Sequence, residues 1–211
     1  MPAQLKISVD QHSDKGRKDA NQDFHGLCIP REPQLSGKGI AIALADGISS
    51  SSVGHVASES AGKGFLEDCF CTSDAWSVKR STQRVLAATI SWLHAQTQQS
   101  QWRYDKDRGY ARTFSAMVLK SATVHLFHVG DARICRLHGQ ALEQLTTDHR
   151  VIVAQDDGFR IVRELHASFR NHLYLAQDEE CGQHAGGATR RATAGHAGHR
   201  AVQRTGIPPG R

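Results

Sequence analysis

The sequence contains no long apolar run. Its longest uninterrupted apolar stretches fall well short of the roughly 18–20 residues that cross a bilayer, and residues 1–15 lack the apolar centre of a secretory signal. No membrane partner is expected, and a cytoplasmic location is. Paired cysteines are also missing. Cys28, Cys69, Cys71, Cys135 and Cys181 are an odd, scattered set of five without Cys-x-x-Cys spacing, which argues against a zinc site and reads as reduced, mostly buried thiols. The body of the chain has no charge excess either. The formal charge of +5 comes from residues 182–211, which hold five arginines and no acidic residue, leaving 21 basic and 21 acidic side chains elsewhere. A neutral body gives no footprint for a specific nucleic acid, and without interleaved aromatics the basic tail offers only salt-sensitive, non-specific attraction. What remains is a chain of 211 residues, 39% hydrophobic, enough for one domain with a substantial core.

The periodicity predicts mixed structure. Leu5–Val9 alternates apolar and polar residues like a half-buried strand, and Phe24–Ile29 and Ile40–Ala45 read as further strands. Helical patterns follow over 53–70 and 77–98, the second with an apolar face assigned to Val78, Val85, Leu86, Ala88, Ile90, Trp92 and Leu93. After a polar loop over 96–108, Thr113–Lys120, Thr123–Val129 and Ala132–His138 read as three consecutive antiparallel strands. Two-residue connections at Ser121-Ala122, Gly130-Asp131 and Gly139-Gln140 suggest hairpins, and hence a meander. Strands, then helices, then strands imply an α+β layered fold.

One segment stands out chemically. The apolar run Gly39–Ala45 ends in Asp46-Gly47, placing a carboxylate where a buried strand meets water, a geometry suited to a hard metal ion. Strand-Asp-Gly also serves as a plain turn. The run has company, however: Gly16-Arg17-Lys18-Asp19-Ala20-Asn21-Gln22-Asp23 upstream, then Thr113-Phe114-Ser115-Ala116, Gly130-Asp131-Ala132-Arg133 and Leu145-Thr146-Thr147-Asp148-His149 downstream. In that order the set resembles the metal-dependent protein phosphatases of the PPM type, the bacterial type 2C serine/threonine phosphatases.

The resemblance covers residues 1–150 and implies a four-layer αββα sandwich, two antiparallel sheets flanked by helices, with metals at one edge. It implies two Mg²⁺ or Mn²⁺ ions, bridged by Asp46 and joined by the Gly47 carbonyl and Asp23, with Asp131 available to an additional ion. Asp23 also reads as a turn former, and Asp131 as a cap for its hairpin. Arg17 and Lys18 compete to bind the substrate phosphate, Lys18 by spacing and Arg17 by its bidentate fork; either also reads as a solvated surface charge. Ile48 stands where some members carry a histidine proton donor. Ser49 and Ser50 replace two family glycines, and Ala132 replaces the usual serine. A later strand-borne Asp-Gly and a terminal Asp-Asn, each a carboxylate donor in the family, are not found in their expected places; Asp157-Gly158 comes too soon after His149 to serve. Asp148-His149 and Arg133 are read as structural.

Beyond this region the character changes. Segments 159–165 and 172–178 resemble the first two strands of a protein kinase domain, without the glycine-rich loop between them. The expected organisation is therefore a truncated phosphatase domain over 1–153, a short kinase-like strand pair over 154–181, and a disordered Ala/Gly/Arg/His-rich tail over 182–211. The tail's composition resembles out-of-frame translation of GC-rich DNA. The leading functional expectation is a metal-dependent phosphatase acting on phosphoserine and phosphothreonine in proteins, with a cognate kinase or kinase domain as a possible partner in bacterial-style signalling. The alternatives are a catalytically impaired fragment of a bifunctional phosphatase/kinase, and non-specific nucleic-acid binding through the tail.

Overall fold

A computed structural model describes residues 7–47, 53–101, 103–104, 112–138, 141–147, 160–166, 172–176 and 200–206. Among the described residues, ten strands form two five-stranded sheets, and every pairing is antiparallel. One sheet has the order β2(Asp23–Cys28)-β3(Ile40–Gly47)-β4(Arg112–Lys120)-β5(Thr123–Val129)-β8(Arg160–His166). The other has the order β1(Ser8–Asp14)-β10(Arg200–Gly206)-β9(His172–Ala176)-β6(Arg133–His138)-β7(Ala141–Gln144). The helices among the described residues are α1(Gln34–Lys38), α2(Gly54–Cys71) and α3(Val78–Gln99), all connecting strands of the first sheet.

The β3 sequence accounts for the layering. Its alternate residues Ala41, Ala43 and Ala45 pack with Ala57, Ala61 and Phe65 of α2, while Ile40, Ile42 and Leu44 lie in a second cluster with Met117, Leu126, Ile134 and Leu145. Both faces of the strand are buried, so it reads as one continuous apolar run rather than an alternation. Small residues admit the helix closely on one face, and branched residues fill the space between the sheets on the other. Gly62 of α2 lies on Phe24 of β2; a Cβ there would sit 1.9 Å from the ring. Phe65 and Phe114 meet edge to face at 5.4 Å, a contact worth about 0.5–1.5 kcal/mol beyond burial. Among the described residues, helices α2 and α3 form a layer on the β3 sheet, so an αββ portion of the expected sandwich is in view.

Several expectations change. The Thr113–Lys120 and Thr123–Val129 strands do form a hairpin, but Gly130-Asp131 is no hairpin turn: β5 pairs with β4 and β8, whereas β6 pairs with β7 and β9 in the other sheet. The chain crosses between sheets here. Gly130 takes φ 107° and presses on Thr113, while Ala132 and Ile134 enter the inter-sheet core. Strand β1 begins at Ser8 rather than Leu5, whose neighbourhood lies outside the described residues. The α3 face agrees with the expected one in part: Val85, Leu86 and Leu93 are buried, together with Ser81 and Thr82, whereas Ala88, Ile90 and Trp92 are exposed. Two small polar residues, Ser81 and Thr82, thus form part of the buried face in the first turns. Helix α3 also runs to Gln99, into the expected loop. Cys69 is buried, Cys28 half-buried and Cys71 exposed, all three as free thiols.

The segments compared with kinase strands are indeed strands, yet they do not pair with each other. β8 completes one sheet on β5, and β9 lies between β6 and β10 in the other, so each covers an edge that would otherwise be open. The expected disorder over 182–211 falls mostly outside the described residues; the described part, Arg200–Gly206, is a strand between β1 and β9.

Candidate active site

Strand register builds the site. Asp23, the first residue of β2, is the cross-strand partner of Asp46 near the end of β3, and Asp46 is in turn paired with Thr113 of β4. Opposed residues in an antiparallel ladder hold their Cβ atoms about 4.5–5.5 Å apart, so the two carboxylates share one spot at the sheet's end. Both stand on the strand face that carries Leu27 and Leu44 into the inter-sheet core. The site therefore opens at the rim between the sheets.

Backbone hydrogen bonds fix this end. Asn21 Oδ1 accepts from the Asp23 amide at 3.0 Å, and its amide donates to Ser13 Oγ at 2.8 Å. The Gln22 carbonyl accepts from the Gly47 amide at 3.1 Å and from the Ser58 hydroxyl at 2.5 Å. Gly47 packs directly on the Gly54 backbone, 2.5 Å from where a Cβ would lie, so no larger residue fits there.

Electrostatics mark Asp46. Its carboxyl is pushed up to about 8, first by burial, then by its hydrogen bond with Asp23 and by the Asp23 charge, with Asp131 adding to the rise and Lys18 opposing it. Lys18 and Asp131 thus belong to the same field. Lys18 is half-buried, while Arg17 and Asp131 are exposed. His25, two residues beyond Asp23 on the same face, is held below its usual value by burial, against the pull of Asp23.

The donor set fits a hard cation. Asp23 Oδ2 is buried and meets no hydrogen-bond donor, a costly state for a carboxylate oxygen unless positive charge reaches it. Asp46 holds a proton far more tightly than an ordinary aspartate, as expected where two anions share a site without a cation between them. Among the described residues, no group of three His, Cys, Asp or Glu side chains converges at ligating geometry. Asp23, Asp46 and Gly47 are brought together; Asp131 acts on Asp46 through its charge. Ile48, Asp148, His149 and Asp157 lie outside the described residues.

The downstream motifs divide by role. Leu145 is buried between the sheets, and Thr146 Oγ1 accepts from the Ile134 amide at 3.1 Å, so this pair pins β7 to β6. The Ser115 hydroxyl and His128 Nδ1 lie 2.8 Å apart, both fully buried, tying β4 to β5 just below Thr113 and Gly130. Neither Ser58 nor His128 was singled out by the sequence motifs. Both act through contacts between distant segments, and no local signal pointed to them.

Comparison with known proteins follows the same lines. A family model described as Protein phosphatase 2C matches residues 11–191, running on through the segment 154–181 that the sequence set apart. Comparison with curated proteins gives no match. Among solved structures, the serine/threonine phosphatase of S. agalactiae is similar with a TM-score of 0.73 and 17% identity over 96% of this chain and 100% of that one. The serine/threonine phosphatase PstP/Ppp of Mycobacterium tuberculosis is similar with a TM-score of 0.68 and 16% identity, covering 95% and 98%. The catalytic domain of serine/threonine protein phosphatase PstP, solved in complex with two manganese ions, has a TM-score of 0.66 and 17% identity, covering 96% and 99%. At these identities the shared property is the fold.

Proposed function

The chain belongs to the protein phosphatase 2C family, and we propose that it hydrolyses phosphoserine and phosphothreonine in proteins at the rim built by Asp23 and Asp46, with Mg²⁺ or Mn²⁺ held there. The observation that carries this is the cross-strand placement of Asp23 on Asp46, with a buried Asp23 oxygen that no donor meets.

The residues divide the work. Asp46, flanked on either side by neighbouring strands, has the central position expected of an anion shared between two ions. Asp23 and the Gly47 carbonyl would join Asp46 in an all-oxygen donor set, the kind that hard divalent ions prefer over softer ones, and Asp131 would add negative charge nearby. Bound divalent metal supplies positive charge to the phosphoryl oxygens and acidifies water. Lys18, within the field of Asp46, is placed to bind the substrate phosphate as a point charge. Arg17, its exposed neighbour in sequence, is the alternative phosphate-binding group, with a bidentate fork in place of a point charge. With Ile48 after Gly47 in the sequence, the leaving alkoxide takes its proton from water or another group.

The substrates on this reading are phosphoproteins, and a cognate kinase is the natural opposing activity. No described helix is long and apolar enough to cross a membrane. A second reading, a centre that retains metal weakly, is favoured by the lack of a third converging carboxylate among the described residues. Hydrolysis of a phosphothreonine peptide with and without manganese tests the proposal. Release of phosphate that requires manganese supports it, and a protein inert at saturating manganese supports the second reading.

A further inference from the structure

The residues that make up the site are held in register by a group outside it. Asp23 and Asp46 lie at the ends of two strands that repel each other when both carboxylates are charged. The β2–β3 ladder has no further pair beyond them, for Asp23 is the first residue of β2 and Asp46 its partner. What lies beyond is the Gln22 carbonyl, which accepts from the Gly47 amide at 3.1 Å and from the Ser58 hydroxyl at 2.5 Å. Ser58 stands one turn into α2 and is 1% exposed. Its other acceptor within reach, the His55 carbonyl of its own helix, is more distant at 3.1 Å, so its single proton is directed to Gln22.

Helix α2 is itself fixed against this end of the sheet. Gly54 abuts Gly47, and Gly62 abuts Phe24 of β2, leaving no room for a Cβ at either contact. A rigid helix thus donates one short hydrogen bond to the peptide that immediately precedes Asp23. We infer that Ser58 is a positioning residue for the metal site: its hydroxyl, through the Gln22 carbonyl, sets where Asp23 stands relative to Asp46. The inference rests on the proposed metal-dependent function. Without the hydroxyl, the Gln22 carbonyl loses the shorter of its hydrogen bonds from Ser58 and Gly47, and the start of β2 is held less firmly against Asp46 before metal arrives.

The test is manganese binding by calorimetry on the full chain, wild type against Ser58→Ala, with phosphopeptide kinetics on the same samples. Groups that orient metal ligands typically change affinity by about 10–100-fold when removed, and a loss of at least about tenfold is expected, with kcat reduced and KM held because Lys18 is untouched. Ser58→Cys, which keeps the volume but donates weakly, shows the same loss if the alanine variant does not fold. Ser81→Ala is the control: it removes a buried hydroxyl that accepts from Thr72 at 2.8 Å, near Ala41 at the opposite end of β3. It is expected to lower stability and leave manganese affinity unchanged. Wild-type affinity in the Ser58 variants, or an equal loss in Ser81→Ala, would overturn the inference. Failure of the wild-type protein itself to bind manganese would overturn the functional reading, and the inference with it.

Discussion

Asp23 lies directly across the β2–β3 ladder from Asp46, and the proximity of these two carboxylates governs the chemistry of the rim. Burial and the neighbouring Asp23 carboxylate together make Asp46 hard to ionise. A divalent cation removes the conflict, so the features that make the metal-free site costly are those that make it selective for positive charge.

Asp46→Asn removes the central anion while keeping its shape. Hydrolysis in the presence of manganese is expected to fall by more than about 100-fold, the upper end of what lesser perturbations of metal sites produce. The metal-free variant should melt no lower than wild type at pH 8, because it no longer holds a crowded buried charge. Steady-state kinetics and a thermal melt check the two halves.

The pH dependence has a definite sign. The Asp46 carboxyl titrates near 8 in the folded chain against 3.8 as the ordinary value, so the folded state binds the proton more tightly. Its contribution to stability is full below about pH 4 and is lost as pH rises through about 8. Melting of metal-free wild type should therefore decline over that window, with a shallower decline in Asp46→Asn. Manganese displaces the same proton, so its affinity should rise with pH by up to about tenfold per unit below 8.

Gly62→Ala places a methyl 1.9 Å from Phe24 Cδ1. Overpacking of this kind costs about 1–3 kcal/mol, and the strand displaced is the one that begins with Asp23. Denaturant unfolding should show the loss, and calorimetry should show weakened manganese binding alongside it.

Lys38 provides a contrast far from the rim. Buried to 7% exposure, its ammonium donates to the Thr72 and Ser73 carbonyls at 2.8 and 2.7 Å and so caps the end of α2. Lys38→Met leaves those carbonyls short of a donor, at a cost of about 1–3 kcal/mol. Manganese affinity should not change.

Much of this was legible in the chain. The β3 run announced a strand buried on both faces, and Asp46-Gly47 announced where it ends, although that end proved half-buried rather than open to water. The ordered motifs pointed to the family that the comparison with known proteins then showed. The crossing at Gly130-Asp131 was not legible, because a glycine with positive φ serves a hairpin and a change of sheet equally well, and only pairing partners far along the chain decide between them. The buried face of α3 misled for a related reason: Ser81 and Thr82 are buried by what they pack against, which an apolar count does not register, while Ile90 and Trp92 stay exposed. Nor does the sequence say that Asp23 pairs with Asp46. That register belongs to the sheet, as does the role of Ser58, which depends on a peptide 36 positions away.

The most direct measurement is a calorimetric titration of manganese into wild type and Asp46→Asn at pH 8, both confirmed folded. The account predicts saturable binding to wild type and little or none to the variant, with proton release on binding to wild type as the Asp46 carboxyl gives up its proton. Equal binding by the two proteins would contradict it, since the metal would then be held somewhere other than the rim where Asp23 meets Asp46.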